Sequence, residues 1–244
     1  MPCITRLRDR TSESYMSCTW ITTEKYLFFS QEIAMKVILI NGSPNKNGCT
    51  YTALEEVAKT LNAEAIDTEI FHIGTKPLSG CIACRKCQEL GRCIFSDKVN
   101  DFLDIAKDAD GFVFGSPVYY AAAAGALTCF MDRVFFANAL SGRQCFYLKP
   151  AAAVVSARRA GTTATFDQLN KYFTISQMPV ISSRYWNMVH GSTPEDVKLD
   201  LEGMQIMRVL GRNMAWFLKC KEAGMKAGIA LPEREDTIFT NFIR

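Results

Sequence analysis

A chain of 244 residues with 48% hydrophobic and 22% charged residues has the composition of a globular protein, which excludes disordered and collagen-like classes. A net charge of +3, with no cluster of five basic residues, leaves no electrostatic footprint for nucleic acid or an anionic membrane surface. No apolar run approaches the ~18 residues that a membrane helix needs.

Residues 1–34 lack the apolar core and small-residue cleavage site of a secretory signal, and Arg6, Arg8 and Arg10 resemble a transit peptide only faintly. Their poor periodicity predicts a poorly structured extension before a domain that starts at Met35 and fills residues 35–244. Ten cysteines without an export signal point to a reducing, cytoplasmic compartment.

From Met35 onward, short apolar or β-branched runs alternate with stretches of helical period. Strands are predicted at 36–41, 67–73, 111–115, 151–156 and 179–182. Helices are predicted at 50–61, 97–107, 123–139 and 163–172, and a long one from Thr193 to Glu222 is announced by the cap sequence Thr193-Pro194-Glu195-Asp196. Such alternation predicts an α/β fold with an open, doubly wound, five-stranded parallel sheet of order 2-1-3-4-5. Ligands of that architecture bind at the carboxyl ends of the strands, where the strand order reverses.

Two loops at that edge have unusual compositions. After the first strand, Gly42-Ser43-Pro44-Asn45-Lys46-Asn47-Gly48-Cys49-Thr50 offers hydroxyls, glycines and backbone amides just before a helix, which suits a phosphate. Neither a Gly-x-Gly-x-x-Gly fingerprint nor a P-loop fits, because Cys49 follows Gly48 where a P-loop has Lys. After the third strand, Ser116-Pro117-Val118-Tyr119-Tyr120 presents flat apolar faces beside exposed amides, a surface suited to a flavin ring. Ser156-Ala157-Arg158-Arg159-Ala160-Gly161 supplies a small-residue turn after the fourth strand. Each loop is also what an ordinary βα turn, a packed core or a solvated turn would use.

Ile38-Leu39-Ile40-Asn41-Gly42-Ser43-Pro44 with Thr50, followed by Gly115-Ser116-Pro117-Val118-Tyr119-Tyr120, resembles the NADPH-dependent FMN reductase branch of the flavodoxin-like superfamily. The loop Cys81 to Cys93 resembles that of its iron–sulfur flavoprotein members. The resemblance implies FMN phosphate and ribityl contacts at Ser43, Asn45, Asn47 and Thr50, with Lys46 and Gly48 in the same loop. It implies isoalloxazine contacts at Pro117, Val118, Tyr119 and Tyr120, with Ser116 in the same cofactor-binding loop, and pyrimidine contacts at Ser156, Arg158 and Gly161. Family loops commonly carry Asn before the Thr and a basic residue after the Pro. Here Cys49 and Asn45 stand in those places, so a weaker phosphate site is expected, with Lys46 supplying the charge.

Cys81, Cys84, Cys87 and Cys93 are spaced C-x2-C-x2-C-x5-C, and the first three copy a ferredoxin spacing. A [4Fe–4S] cluster and a set of free thiols are both open readings; in the second, Arg85, Lys86 and Arg92 would lower the thiol pKa values. Zinc, which usually takes two separated Cys-x-x-Cys knuckles, is disfavoured. Tyr185-Trp186-Asn187-Met188-Val189-His190-Gly191 is expected after the fifth strand, with His190 as a candidate proton donor beside the flavin. His72, in the second strand, is expected to be structural.

The function expected is FMN-dependent oxidoreduction, with NAD(P)H reducing the flavin and the flavin reducing a small-molecule or protein acceptor, if the cluster is present through single-electron steps. Alternatives are a flavodoxin-like electron carrier without nicotinamide activity, and a quinone, nitro or azo-compound reductase. Surplus apolar surface on 121–139, with Phe130, Phe135 and Phe136, suggests a homodimer or homotetramer.

Overall fold

The computed structural model describes residues 35–240; the expectation for 1–34 lies outside them. At the centre of the sheet, β1 (Lys36–Asn41) is buried on both faces apart from its first residue. Side chains alternate across a strand, and two cores follow from that. Ile38 and Ile40 face one side with Phe112 and Phe114, while Val37 and Leu39 face the other with Val113.

The remaining elements are α1 (Cys49–Ala63), β2 (Asp67–His72), α2 (Cys87–Leu90), α3 (Lys98–Ala106), β3 (Gly111–Tyr119), β4 (Ala122–Ala123), α4 (Gly125–Leu140), β5 (Ala151–Ala157), α5 (Thr162–Ile175), β6 (Met188–His190), α6 (Pro194–Leu199) and α7 (Leu201–Lys226). The sheet order is β2-β1-β3-β5-β6, with all pairings along that path parallel. This is the doubly wound order expected, with β4 added antiparallel to the end of β3. One core packs α3, α4 and α5 through a phenylalanine cluster that includes Phe71, Phe102, Phe114, Phe130 and Phe135. The other packs α1 against α7, where a Cβ on Gly211 would lie 2.7 Å from Thr60.

Two expectations need correction. The fifth strand is not 179–182, which makes a single bridge between Val180 and Ala151; the paired edge strand is Met188–His190. The chain leaves the sheet between them because polar groups there bind α7 instead: Ser183 Oγ donates to the Ile206 carbonyl at 2.7 Å and Asn213 Nδ2 to the Ser182 carbonyl at 2.7 Å. The long last helix is two helices. Its start is capped as expected, with Thr193 and Asp196 in a reciprocal capping box. It breaks at Asp200, whose carboxylate accepts from Gly203 N at 2.9 Å and His190 N at 2.7 Å, leaving α6 to end and α7 to begin. Of the three phenylalanines named in 121–139, Phe130 and Phe135 are buried and Phe136 is exposed. No described helix is long and apolar enough to cross a membrane.

Candidate functional site

The loop Gly42–Gly48 is tied down from within. Asn41, fully buried, accepts from Ser43 N at 3.0 Å and donates from Nδ2 to the Lys46 carbonyl at 3.0 Å. Ser43 Oγ accepts from Asn45 N at 3.1 Å, and His72 Nε2 lies 2.8 Å from the Ser43 carbonyl. His72 is therefore a strut for the loop. These bonds leave Asn45, Lys46 and Asn47 exposed at the tip.

Gly48 caps α1 with no side-chain hydrogen bond, and no acid occupies the first turn. The first amides of a helix without a cap need a partner from outside the helix, and they favour an anion. Thr50, expected at the phosphate, is buried with its hydroxyl 2.8 Å from that of Ser156, expected at the pyrimidine. Two site residues from separate loops thus contact each other.

Ser116 is fully buried; its Oγ accepts from Ala124 N at 3.0 Å and donates to the Pro117 carbonyl at 2.8 Å, so it closes the turn into α4. Pro117 and Val118 are half-buried, and Tyr119 and Tyr120 are exposed. The strand continues past the expected end at Gly115 into a two-residue hairpin, Tyr120-Ala121, with φ of 49° and 61°. Such a turn ordinarily takes Asn and Gly, and two side chains held at positive φ are strained in a way common at ligand sites. Against this hairpin packs Gly161, at φ 92°, where a Cβ would meet Ala121 Cα at 2.7 Å and Val118 Cγ1 at 2.8 Å. The loops after β1, β3 and β5 therefore form one continuous edge, with Arg158 exposed beside it.

His190 pairs with Ala157 at this edge, and Gly191 N donates to the Ala157 carbonyl at 3.0 Å. Its half-exposed ring lies 3.8 Å from Asp200 Oδ2, in a recess with Tyr185 and Glu202 beside the start of α7. Cys49 contacts the Gly191 carbonyl at 3.7 Å, and burial followed by the Asp196 and Glu195 charges raises its pKa.

Cys81, Cys84, Cys87 and Cys93 line a cavity of about 20 Å³ with Phe95 and Arg133. No described group of three or more Cys, His, Asp or Glu side chains sits close enough to hold a metal. In donor chemistry the residues nevertheless suit a cluster: four thiols surround one cavity, and Ala83 and Arg85 take φ of 52° and 57° around Cys84. Left-handed Arg85 followed by right-handed Lys86 is the alternation that forms a backbone nest, a concavity shared by many iron–sulfur sites. The expected lowering of thiol pKa values needs correction at Cys87, where burial, with the neighbouring thiols, raises the value against a backbone hydrogen bond that lowers it. Lys86 is engaged with Glu89 at 3.0 Å.

Sequence reasoning missed Arg133. This guanidinium is 1% exposed and pairs with Asp97 at 2.7 and 2.9 Å. It also donates to Cys93 Sγ from Nε at 3.3 Å and Nη2 at 3.2 Å. The signal was one Arg, next to Asp132, within the mostly apolar helix α4. On the same helix, Leu127 lies under Gly42 and Cys129 lies beside Gly80, so α4 connects the first loop to the cysteine cavity. Leu127 and Arg133 are about 9 Å apart along the axis.

Known proteins resemble this chain in sequence and in fold. A family model described as NADPH-dependent FMN reductase matches residues 35–193. An iron-sulfur flavoprotein of Methanocaldococcus jannaschii is 34% identical over 194 residues, covering 76% of this chain and 98% of that protein. Two solved structures share the fold alone. RosB with a bound 8-demethyl-8-formylriboflavin-5'-phosphate intermediate has a TM-score of 0.59 at 14% identity, covering 86% of this chain and 93% of its own. FerB, an NAD(P)H:acceptor oxidoreductase of Paracoccus denitrificans, has a TM-score of 0.58 at 15% identity, covering 77% and 98%.

Proposed function

The chain belongs to the NADPH-dependent FMN reductase family, in its iron-sulfur flavoprotein branch, and is an FMN-dependent oxidoreductase; from this premise we propose that it passes electrons from NAD(P)H to an acceptor. The observation that carries the reading is the uncapped N-terminus of α1 behind a loop whose own hydrogen bonds hold its tip open. Gly48 and the first amides of α1 would hold the phosphate, with Asn45, Lys46 and Asn47 at the exposed tip. Ser43 and Thr50 act from behind: Ser43 shapes the turn, and Thr50 fixes the helix start to Ser156. Val118, Tyr119 and Tyr120 supply the apolar wall, with Pro117 stiffening it and Ser116 closing it. Gly161 lets the turn bearing Arg158 approach that wall. FMN bound there supplies hydride acceptance and single-electron release.

For the cysteine cavity we propose a [4Fe–4S] cluster on Cys81, Cys84, Cys87 and Cys93, which would supply one-electron transfer. Arg133 orients Cys93, and Asn100 fixes the backbone of the same residue through Cys93 N at 2.9 Å and the Cys93 carbonyl at 2.9 Å. His190 is proposed as a proton donor, its ring kept near the strand end by Asp200. A cytoplasmic location and a homodimer or homotetramer are proposed as well.

Anaerobic purification followed by an absorbance spectrum, iron and sulfide analysis, and stopped-flow mixing with NADPH tests these assignments. Flavin bands that bleach with NADPH support the reductase. Bands that persist at millimolar NADPH and NADH support instead an electron carrier reduced by a partner protein. About four irons per chain are expected, and a value near zero overturns the cluster. Quinone, nitro and azo compounds are the acceptors to assay, and light scattering reads the assembly.

A further inference from the structure

Arg133 stands in the wall of the cysteine cavity, 1% exposed, and all five of its N–H groups are committed. Along one edge of the guanidinium, Nε and Nη2 donate to Cys93 Sγ at 3.3 and 3.2 Å. Along the other, Nη1 and Nη2 donate to Asp97 Oδ2 and Oδ1 at 2.7 and 2.9 Å. The remaining N–H, on Nη1, reaches the Ser79 carbonyl at 3.3 Å. Phe95 covers a face of the group, with Arg133 Cζ 4.8 Å from the ring centroid.

Two of those five bonds end on a single sulfur. A neutral thiol is a weak acceptor and compensates a buried guanidinium poorly. A metal-bound thiolate carries the negative charge that two cationic donors suit. Among the described residues, Cys93 alone of the four cavity cysteines accepts from a charged side chain. The ion pair is also lopsided. Asp97 is 27% exposed, so water screens its carboxylate, whereas Arg133 at 1% is screened far less. The field that reaches Cys93 is therefore positive.

Reducing a metal centre held by Cys93 adds one negative charge beside that sulfur, with no bond broken and no proton moved. Hydrogen bonds to the ligating sulfurs, net charge and solvent exposure are the levers that set iron–sulfur potentials. We propose that Arg133 is a positioning residue that raises the potential at which the centre on Cys81, Cys84, Cys87 and Cys93 accepts an electron, acting through its two bonds to Cys93. This rests on the cluster reading above, in which the electron comes from the flavin. Asp97 then has the opposite duty: it holds the guanidinium in place and moderates its charge. Because Arg133 bonds a cysteine, Asp97 and the Ser79 carbonyl and none of the flavin-edge loops, its effect is confined to the cysteine cavity.

The test uses the full-length, flavin-loaded protein purified anaerobically, with iron and sulfide analysis followed by a potentiometric titration. Low-temperature electron paramagnetic resonance reads the reduced cluster, and visible absorbance reads the flavin. In Arg133→Met, which removes both charge and donors, the ratio of reduced to oxidised cluster at the wild-type midpoint should fall about tenfold, or about 59 mV for one electron. Arg133→Lys keeps the charge without the planar fork, so a smaller fall is expected. Asp97→Asn removes the opposing charge and keeps an oxygen for Val99 N, so its ratio should rise. The flavin midpoint should stay in place in all three. A merely structural role would loosen the loop in every variant and could not move the potential in opposite directions. If Arg133→Met holds no iron, the opposite shifts of Arg133→Lys and Asp97→Asn carry the test. Wild-type protein with iron near zero overturns the cluster reading, and this proposal with it. About four irons per wild-type chain, with the cluster potential of the variants unmoved or shifted in one common direction, overturn the proposal and leave the cluster reading standing.

Discussion

Removing Asp97 should destabilise the protein more than removing Arg133, although the two form one ion pair. Arg133 is 1% exposed and Asp97 27% exposed. Asp97→Ala strands a buried guanidinium, worth about 3–5 kcal/mol. It also removes the N-cap of α3, where Asp97 Oδ1 accepts from Val99 N at 3.2 Å, worth about 1 kcal/mol. Together that is about 4–6 kcal/mol. Arg133→Met fills the same volume with an uncharged chain and leaves a carboxylate that keeps water and its cap bond, so about 2–3 kcal/mol is expected. With a urea m-value of about 2–3 kcal/mol/M, the midpoints should fall by about 2 M and about 1 M. The double variant should lose less than Asp97→Ala alone, because no charge is left buried and unpaired. Urea unfolding followed by far-UV circular dichroism measures all three. A larger loss for Arg133→Met than for Asp97→Ala, or a double variant equal to the sum of the singles, refutes the argument.

Ala121→Gly should stabilise the hairpin by about 1 kcal/mol, since φ of 61° disfavours a side chain, and thermal unfolding of the apoprotein reads the gain. Gly161→Ala should cost more than about 2 kcal/mol and lower retained FMN, because φ is 92° and Ala121 Cα would lie 2.7 Å from the new Cβ; the flavin-to-protein absorbance ratio checks the second effect. Thr50→Val should cost about 1–3 kcal/mol by leaving the buried Ser156 hydroxyl without its partner, measured by urea midpoint. Burial, and then the bond to Asp132, raise the pKa of Tyr172 above its ordinary 10.0. Above about pH 10 the unfolded chain releases a proton that the folded protein keeps, so stability present below that pH is lost as pH rises. Tyr172→Phe should therefore show a shallower fall in urea midpoint between about pH 9 and about pH 11.

The sheet was legible because parallel strands buried on both faces read as near-continuous apolar runs, as 36–41 and 151–156 do. The fifth strand was not. Residues 179–182 carry the same apolar signal as a strand, and their departure from the sheet depends on Ser183 meeting the Ile206 carbonyl and Asn213 meeting the Ser182 carbonyl, contacts across 23 and 31 residues that no local pattern encodes. The break at Asp200 was hidden for a related reason. An Asp inside a run of helical period looks like a solvated face, and its bond to His190 N exists only once β6 is in place.

In the candidate site, residue types were readable and their duties were not. Thr50, Ser116 and Ser156 were singled out as hydroxyls for a ligand, yet their hydroxyls bond to one another or to the backbone. That difference has a physical basis: a site that must hold flat rings and a phosphate at the same time needs its loops fixed before binding, so the buried hydroxyls join loops and the exposed amides face outward. The same division explains Arg133. A cysteine loop with Ala83 and Arg85 at positive φ is costly to keep. An inner clamp that bonds Cys93, Asp97 and the Ser79 carbonyl at 3.3 Å ties both ends of that loop to α4, the helix that also supports the first loop through Leu127. Loss of the clamp should therefore loosen the cysteine loop before it disturbs the flavin edge. Limited proteolysis of Arg133→Met should cut first between residues 79 and 97, and a first cut within 42–50 or 116–121 would contradict this order.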